Sequence, residues 1–172
     1  MILTARLALR QWRAGDLPSL DAILGDAEVM ASSDHGPLSI AQQRDWLDRA
    51  IASAATRPLP GTLAITQASD GGIIGYVSLI QTPDRVGPRE AEIGFRLMRR
   101  AWRQGYATEA GLAMIEAGQN VAGIDRIIAI FEPSNHASHR VLTKLGLRPV
   151  GEIMLEGYTH PDLVYAKDCG PA

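Results

Sequence analysis

Hydrophobic and polar positions form short blocks along the chain, and each block predicts one strand or one helix. Residues 2–10 partly alternate between apolar and polar, which is typical of a half-buried first strand. Apolar residues at helical spacing then fill 17–24, behind Asp16 as a candidate N-cap. Ser39 and Gln42 form a capping box that begins a second amphipathic helix. The N-terminal part is therefore predicted to run strand, helix, helix.

Six strands and two helices are predicted downstream. The strands cover 62–66, 73–80, 89–97, 126–131, 150–155 and 163–166, and the helices cover 108–122 and 134–145. The first two of these strands are joined by a Gly-rich turn and form a hairpin. The apolar run 126–131 follows a helix, which indicates a buried strand parallel to the strand before that helix. The chain is therefore predicted to be an α/β (α+β) protein in which helices cover a mixed sheet.

Composition narrows the class of protein. With 172 residues, 46% hydrophobic and 21% charged, the chain is expected to form one globular domain over 1–172. Seventeen Lys and Arg against nineteen Asp and Glu give a net charge of −2, so no overall field attracts nucleic acid. No apolar run is long enough to span a membrane and no signal peptide is recognisable. The single Cys169 cannot build a disulfide framework, and a cytoplasmic location is expected.

The loop at 102–110 is the strongest local signal for a ligand. It joins the predicted strand 89–97 to a predicted helix, and Gly105 in its centre permits a positive φ and close approach of the backbone. Ala107 is small, and backbone N–H groups converge where the helix dipole is positive. Four arginines lie close by, at 96, 99, 100 and 103. The loop is therefore expected to hold an anion such as a pyrophosphate.

Three motifs in a fixed order carry a family resemblance. They are 92–95 (EIGF), 102–110 (WRQGYATEA) and 135–147 (NHASHRVLTKLGL). With them the chain resembles the GNAT superfamily of acyl-CoA-dependent N-acetyltransferases, and within it the branch that includes the ribosomal-protein N-terminal (alanine) acetyltransferases. Residues 7–10 and 158–165 are similar to the opening and the close of that branch. The resemblance implies a mixed, mostly antiparallel sheet of about seven strands, about four helices and a splayed parallel strand pair.

The resemblance also implies a co-substrate and the residues that hold it. Acetyl-CoA would donate its acetyl group to an amine. Its pyrophosphate would lie against the backbone of six consecutive residues: Arg103, Gln104, Gly105, Tyr106, Ala107 and Thr108. Its pantetheine arm would pair with the backbone of Phe95 and Leu97, filling the gap beside the strand 126–131 as an added strand would. Asn135 would orient the cofactor amide or the acceptor.

Glu92 is the candidate general base. Transfer to an amine requires the neutral amine, and an alkylammonium with a pKa of about 10 is mostly charged at neutral pH. The resemblance places an acidic residue at this position, where it could act directly or through water. The alternative is that Glu92 is solvated or ion-paired, with Arg89 or Arg96 as partner. Glu90 shares its face of the strand and could line the same cleft.

Ser138 is the second candidate catalytic residue, because it matches a family serine near the thiol of coenzyme A, where its hydroxyl could donate to the departing sulfur, and what protonates the thiolate is left open. The alternative is a serine bonded to its own helix backbone, and Asn135 could equally be a plain N-cap. The chain departs from the family at Trp102, where Gln or Arg is frequent, and at Arg103, where this branch often has glycine. Leu142 stands where many members have a tyrosine that protonates the thiolate. The histidines show no metal-ligand spacing, so no metal is expected.

The acceptor is left open by the sequence. A peptide or protein N-terminal α-amine follows from the family resemblance, and a small amine such as a polyamine, an amino acid or a drug is the alternative. Residues 26–58 and 81–89 are expected to form the acceptor walls. A non-catalytic CoA-binding module is the alternative of another class, and the retained Glu92, Asn135 and Ser138 argue against it. A dinucleotide-binding oxidoreductase lacks its G-x-G-x-x-G signature here, nucleic acid and membrane partners are not expected, and a homodimer is left open.

Overall fold

The computed structural model describes residues 1–33, 35–53, 58–82, 85–119, 121, 123–155 and 159–169. The described part contains eight strands and four α-helices. The strands are β1 (Ile2–Leu3), β2 (Leu7–Arg10), β3 (Gly61–Gln67), β4 (Ile73–Ile80), β5 (Glu90–Leu97), β6 (Arg126–Phe131), β7 (Arg148–Ile153) and β8 (Asp162–Asp168). The helices are α1 (Leu17–Leu24), α2 (Ile40–Ser53), α3 (Tyr106–Gly118) and α4 (His136–Lys144). Ala122 and Tyr158, used above in a helix end and a motif, lie outside the described residues.

The strands form one mixed sheet in the order β1-β2-β3-β4-β5-β6-β8-β7. The pair β5 and β6 is parallel and the other neighbouring pairs are antiparallel, which confirms the predicted fold class. The first strand differs from the prediction, because the segment 2–10 turns back on itself. Thr4 N–H donates to the Leu7 carbonyl (2.9 Å), and Leu7 N–H donates to the Thr4 hydroxyl (3.0 Å). This turn divides the segment into β1 and β2, which raises the strand number to eight.

Helix starts follow the predicted caps in two of three cases. The capping box of α2 is present, with Ser39 N–H donating to Gln42 Oε1 at 2.9 Å. At α4, Asn135 Oδ1 accepts from the backbone N–H of Ser138 at 3.0 Å. Asp16 precedes α1, but its side chain makes no capping hydrogen bond. Its carboxylate instead accepts two hydrogen bonds from Arg10, at 2.7 and 2.9 Å.

Helix α3 begins at Tyr106, before the predicted start at Thr108. Gly105 is its N-cap residue and has a φ of 81°, a left-handed conformation that glycine adopts without strain. The glycine therefore ends the loop and starts the helix directly.

Strands β5 and β6 pair over only three residues each and then separate. The last pair is Glu92 with Ile128. Just after β5, the N–H of Met98 donates to the carbonyl of Ile74 in β4 at 2.9 Å, so the backbone groups of even-numbered residues point towards β4. Because backbone groups alternate in direction along a strand, those of the odd-numbered residues Phe95 and Leu97 point to the opposite, open edge. The splayed parallel pair is thereby confirmed.

Helices cover both faces of the sheet around this gap. Gly118 of α3 lies against Leu79, which pairs with Ile93 on one face. On the other face, Tyr76 pairs with Arg96 and its ring lies 5.0 Å from that of Trp46 in α2. Glu92 shares the α2 face with Arg96, because side chains alternate along the strand. Among the helices that the structure describes, none is long and apolar enough to cross a membrane.

Candidate functional site

The loop before α3 presents a run of free backbone donors. Arg103 and Gly105 both have positive φ, at 60° and 81°. The first hydrogen bond of the helix is donated by Glu109 to the Gly105 carbonyl at 3.0 Å. Within the described residues, the N–H groups of 103–108 have no backbone or side-chain acceptor. They lie at the positive end of the helix dipole, an arrangement that binds anions.

Arg103 is the only non-glycine residue with a positive φ in the described part of the chain. A left-handed conformation costs an ordinary L-residue roughly 1–2 kcal/mol. Arg103 thus holds the conformation that glycine would hold without strain at this position. Its side chain is exposed beside the donor run.

Trp102, where the chain departs from the family pattern, has a structural role. Its indole Nε1–H donates to the carbonyl of Leu97 at 2.7 Å, and the residue is 37% exposed. The side chain therefore folds back over the end of β5 and occupies one backbone group on the open edge. The N–H of Leu97 and both backbone groups of Phe95 face the same edge. No local pattern signals this contact, because an exposed tryptophan in a loop has many other uses.

Glu92 lies on the α2 face where β5 and β6 separate. Its side chain is only 14% exposed, and Oε1 lies 3.1 Å from Nη2 of Arg85. Burial raises the pKa of Glu92, and the Arg85 charge opposes that rise without cancelling it. The ion-pair partner is therefore Arg85, in the loop before β5, and neither Arg89 nor Arg96. The sequence offers no signal for this pair, because Arg85 lies in a loop. Outside a strand or helix, no periodicity indicates the direction in which a side chain points.

Arg89 and Arg96, the two partners considered for Glu92 from the sequence, contact other residues. Arg89 forms an ion pair with Asp125. Arg96 places Nη1 2.6 Å from the sulfur of Met30, in the segment between α1 and α2. Glu90 lies on the same face as Glu92, as predicted, but its carboxylate accepts from the backbone N–H of Gly87 at 2.9 Å.

Asn135 and Ser138 meet at the start of α4. Besides capping the helix, Asn135 donates from Nδ2 to the hydroxyl of Ser32 at 3.0 Å. The hydroxyl of Ser138 is half-buried and has no hydrogen-bond partner among the described residues. Leu142, at the position of the family tyrosine, is 2% exposed and packs in the core. Ser138, the candidate donor to the sulfur, therefore has an available hydroxyl.

Four contacts tie the segment between α1 and α2 to β5, to the residues just after β5 and to the start of α4. They join Arg99 to Asp26 (2.9 Å) and Glu28 (2.7 Å), Arg96 to Met30, and Asn135 to Ser32. The described part of this segment is thereby held against the end of β5 and the start of α4. Among the described residues, no group of three or more His, Cys, Asp and Glu is placed to hold a metal ion.

Comparison with known proteins shows the family of the chain. The family model described as acetyltransferase (GNAT) domain matches residues 6–148. The uncharacterized N-acetyltransferase YnaD of Bacillus subtilis (strain 168) is 27% identical over 150 residues, covering 87% of this chain and 84% of that protein. The uncharacterized N-acetyltransferase YoaA of the same strain is 35% identical over 80 residues, which is 46% of this chain and 42% of that protein. The YoaA match thus spans less than half of that relative.

Solved structures show the same fold. A GNAT-family acetyltransferase from Bacillus anthracis superposes with a TM-score of 0.84 at 23% identity, covering 97% of each chain. The ribosomal L7/L12 α-N-protein acetyltransferase RimL, in complex with coenzyme A, has a TM-score of 0.76 at 19% identity, over 96% of this chain and 95% of that one. Spermidine N-acetyltransferase from Vibrio cholerae, in complex with CoA and spermine, has a TM-score of 0.76 at 16% identity, over 96% and 97%. The chain belongs to the GNAT family of N-acetyltransferases.

Proposed function

We propose that this protein transfers the acetyl group of acetyl-CoA to a primary amine, with Glu92 as the general base. The observation that carries the proposal is the place of Glu92. It is a buried carboxylate with a raised pKa, located where the parallel strands separate. The same strand leads directly to the anion-binding loop. A donor held along the open edge of β5 would therefore pass beside this carboxylate.

The described residues fit coenzyme A at both of its recognition points. The N–H groups of Arg103, Gln104, Gly105, Tyr106, Ala107 and Thr108 form the donor run for a pyrophosphate. Both backbone groups of Phe95 and the N–H of Leu97 face the open edge, where an extended pantetheine arm can pair as an added strand. Asn135 supports this site as the cap of α4 and the bridge to Ser32.

Bound acetyl-CoA supplies an acyl carbon activated as a thioester. The neutral amine nitrogen attacks that carbon, the N–C bond forms and the C–S bond breaks. Glu92 takes the surplus proton from the nitrogen, directly or through one water. The sulfur leaves as a thiolate with the electron pair of the broken bond, the Ser138 hydroxyl donates a hydrogen bond to it, and solvent supplies its proton. A thiol has a pKa of about 8.5, so the sulfur needs little assistance, which is consistent with Leu142 in place of a tyrosine.

We propose a peptide or protein N-terminal α-amine as the acceptor. Two cations, Arg85 and Arg96, lie on the face of the sheet that carries Glu92. The carboxylates nearby, Glu90 and Glu92 on this face and Asp26 and Glu28 between α1 and α2, each pair with an arginine. Because these carboxylates are already paired, they offer a polycation such as spermidine or an aminoglycoside little attraction. An α-amine carries one charge and has a pKa of about 8, so part of it is neutral near pH 7.

An acceptor screen tests this proposal. Thiol release from acetyl-CoA is measured with N-terminal peptides, spermidine and an aminoglycoside, and acetylated products are identified by mass spectrometry. We expect turnover with at least one peptide and kcat/KM at least tenfold lower with the polycations. Preference for spermidine or the aminoglycoside would overturn the acceptor assignment. Binding of CoA without acetylation of any amine would favour a CoA-binding module.

A further inference from the structure

The turn between β1 and β2 reaches across to the start of α3. Arg6 donates from Nε to Oε2 of Glu109 (2.7 Å) and from its backbone N–H to Oε1 (2.8 Å). Thr4 donates its hydroxyl to the same Oε1 at 2.6 Å. Glu109 lies in the first turn of α3, directly after the donor run. Residues more than a hundred positions apart in the chain thus meet beside the anion-binding loop.

The Arg6 guanidinium also contacts the loop itself. Nη1 donates to the carbonyl of Gln104 at 3.0 Å, and the guanidinium carbon lies 4.6 Å from the ring centre of Tyr106. A Cβ placed on Gly105 would lie 3.4 Å from Nη2. In a trans peptide, the carbonyl of one residue and the N–H of the next point in opposite directions. Holding the Gln104 carbonyl toward Arg6 therefore directs the Gly105 N–H away from it, into the donor run.

Glu109 presents an electrostatic conflict that Arg6 resolves. A carboxylate in the first turn stabilises a helix through its dipole. The same negative charge would repel an anionic ligand at the helix start. Burial raises the pKa of Glu109, but hydrogen bonds from Thr4 and Arg6 outweigh it and hold the pKa below its ordinary value. The carboxylate is therefore charged at neutral pH, and its charge is matched by the ion pair with Arg6 at 2.7 Å.

We propose that Arg6 is a positioning residue for the pyrophosphate of coenzyme A. It orients the Gln104 peptide so that the following N–H joins the donor run, and it neutralises Glu109 so that an anion can approach. This inference rests on the proposed function in one respect, which is that coenzyme A is the ligand of the loop. Arg6 itself acts through Gln104 and Glu109, since each of its side-chain nitrogens already contacts a protein group.

The two partners have opposite predicted effects on coenzyme A binding. Arg6→Met leaves the Glu109 charge unmatched beside the loop, so affinity should fall at least tenfold. Glu109→Gln removes that charge and retains an oxygen for Thr4 and Arg6, so affinity should equal or exceed that of the wild type. In the double variant Arg6→Met/Glu109→Gln, affinity should recover toward the wild-type value. If the contact between Arg6 and Glu109 only stabilised the fold, both single variants should weaken CoA binding.

Calorimetric titration with CoA and with pantetheine, which lacks the pyrophosphate, tests the inference. Arg6→Met should weaken CoA binding and leave pantetheine binding unchanged, while Arg6→Lys should retain part of the CoA affinity. Arg89→Met is the matched control, because Arg89 also forms an ion pair, with Asp125, and both side chains are exposed. It should bind CoA as the wild type does. Thermal unfolding of each variant verifies that it is folded at the temperature of the titration.

Several results would overturn the inference. They are a CoA affinity of Arg6→Met within twofold of the wild type, an equal loss for pantetheine, and weaker CoA binding by Glu109→Gln than by the wild type. Absence of CoA binding by the wild type would remove this inference together with the proposed function. A wild type that binds CoA but acetylates no amine would remove only the proposed function, because the titrations do not depend on turnover.

Discussion

Arg103 combines a strained backbone with a charge beside the anion-binding loop, and the two properties can be separated. Its φ of 60° predicts that Arg103→Gly increases the free energy of unfolding by about 1 kcal/mol. The same change removes a cation, so CoA affinity should fall. Arg103→Lys keeps both the Cβ and the charge and should match the wild type in both measurements. Denaturant unfolding measures the free energy of unfolding, and calorimetric titration measures the CoA affinity. A lower free energy of unfolding in Arg103→Gly would show that the backbone of Arg103 is not strained.

Arg85 tunes Glu92 in a direction that a pH profile can detect. The Arg85 charge lowers the pKa of Glu92 against the larger effect of burial. Arg85→Met should therefore raise that pKa further. Below the pKa of the amine, the lower ionisation in the profile of log kcat/KM should then move to higher pH, since the base must be ionised to accept a proton. An unchanged ionisation in Arg85→Met would show that another group titrates.

Glu92 should also destabilise the fold while it serves the reaction. Because its folded pKa is raised, the unfolded chain loses the proton first as pH rises from the ordinary value of a glutamate. Stability is therefore lost as pH rises through the folded pKa. Glu92→Gln should unfold at a higher temperature than the wild type at pH 7, and the difference should shrink below pH 4. Thermal unfolding of both proteins at several pH values measures this difference. A melting temperature of Glu92→Gln below that of the wild type at pH 7 would show that Glu92 does not destabilise the fold.

At the scale of elements, Asp16 joins β2 to the start of α1. Burial raises its pKa, but hydrogen bonds from Arg10 and the Arg13 backbone outweigh it and hold the pKa below its ordinary value. The charged Asp16 carboxylate therefore contributes to the free energy of unfolding at neutral pH, and this contribution is lost as pH falls through the folded pKa. Asp16→Asn should lose about 2 kcal/mol at pH 7 and less at pH 3. Asp125→Asn, in a solvent-exposed pair with Arg89, should lose much less stability than Asp16→Asn when both are measured by urea unfolding.

Elements were predictable where the deciding interactions are local. The capping box of α2 and the cap at Asn135 depend on residues three positions apart, and both are observed. The division of the first strand depends on one threonine hydroxyl that bonds to Leu7, which hydrophobic alternation does not report. The contacts of Glu92 with Arg85 and of Glu109 with Arg6 join residues from different elements. A single sequence holds no signal for such pairs, so the motifs could be found while their partners could not.

At the scale of the whole molecule, one strand connects the parts of the site. β5 carries Glu92 at the point where β6 separates, presents both backbone groups of Phe95 and the N–H of Leu97 beyond it, and leads to the donor run before α3. Helices cover both faces of the sheet here, and the segment between α1 and α2 is held against the end of β5. The separation of the two parallel strands thus creates both a place for an extended cofactor arm and a buried position for a carboxylate.

The most direct test of the central claim compares Glu92→Gln with Glu90→Gln on the best acceptor, at pH values below the pKa of its amine. Both residues lie on the same face of β5, and their glutamine variants differ from the wild type in one carboxylate each. We expect kcat/KM to fall by about 10²–10⁴-fold in Glu92→Gln, the usual contribution of a general base, with CoA affinity retained. Glu90→Gln should keep kcat/KM within a few-fold of the wild type. Wild-type kcat/KM in Glu92→Gln would contradict the account.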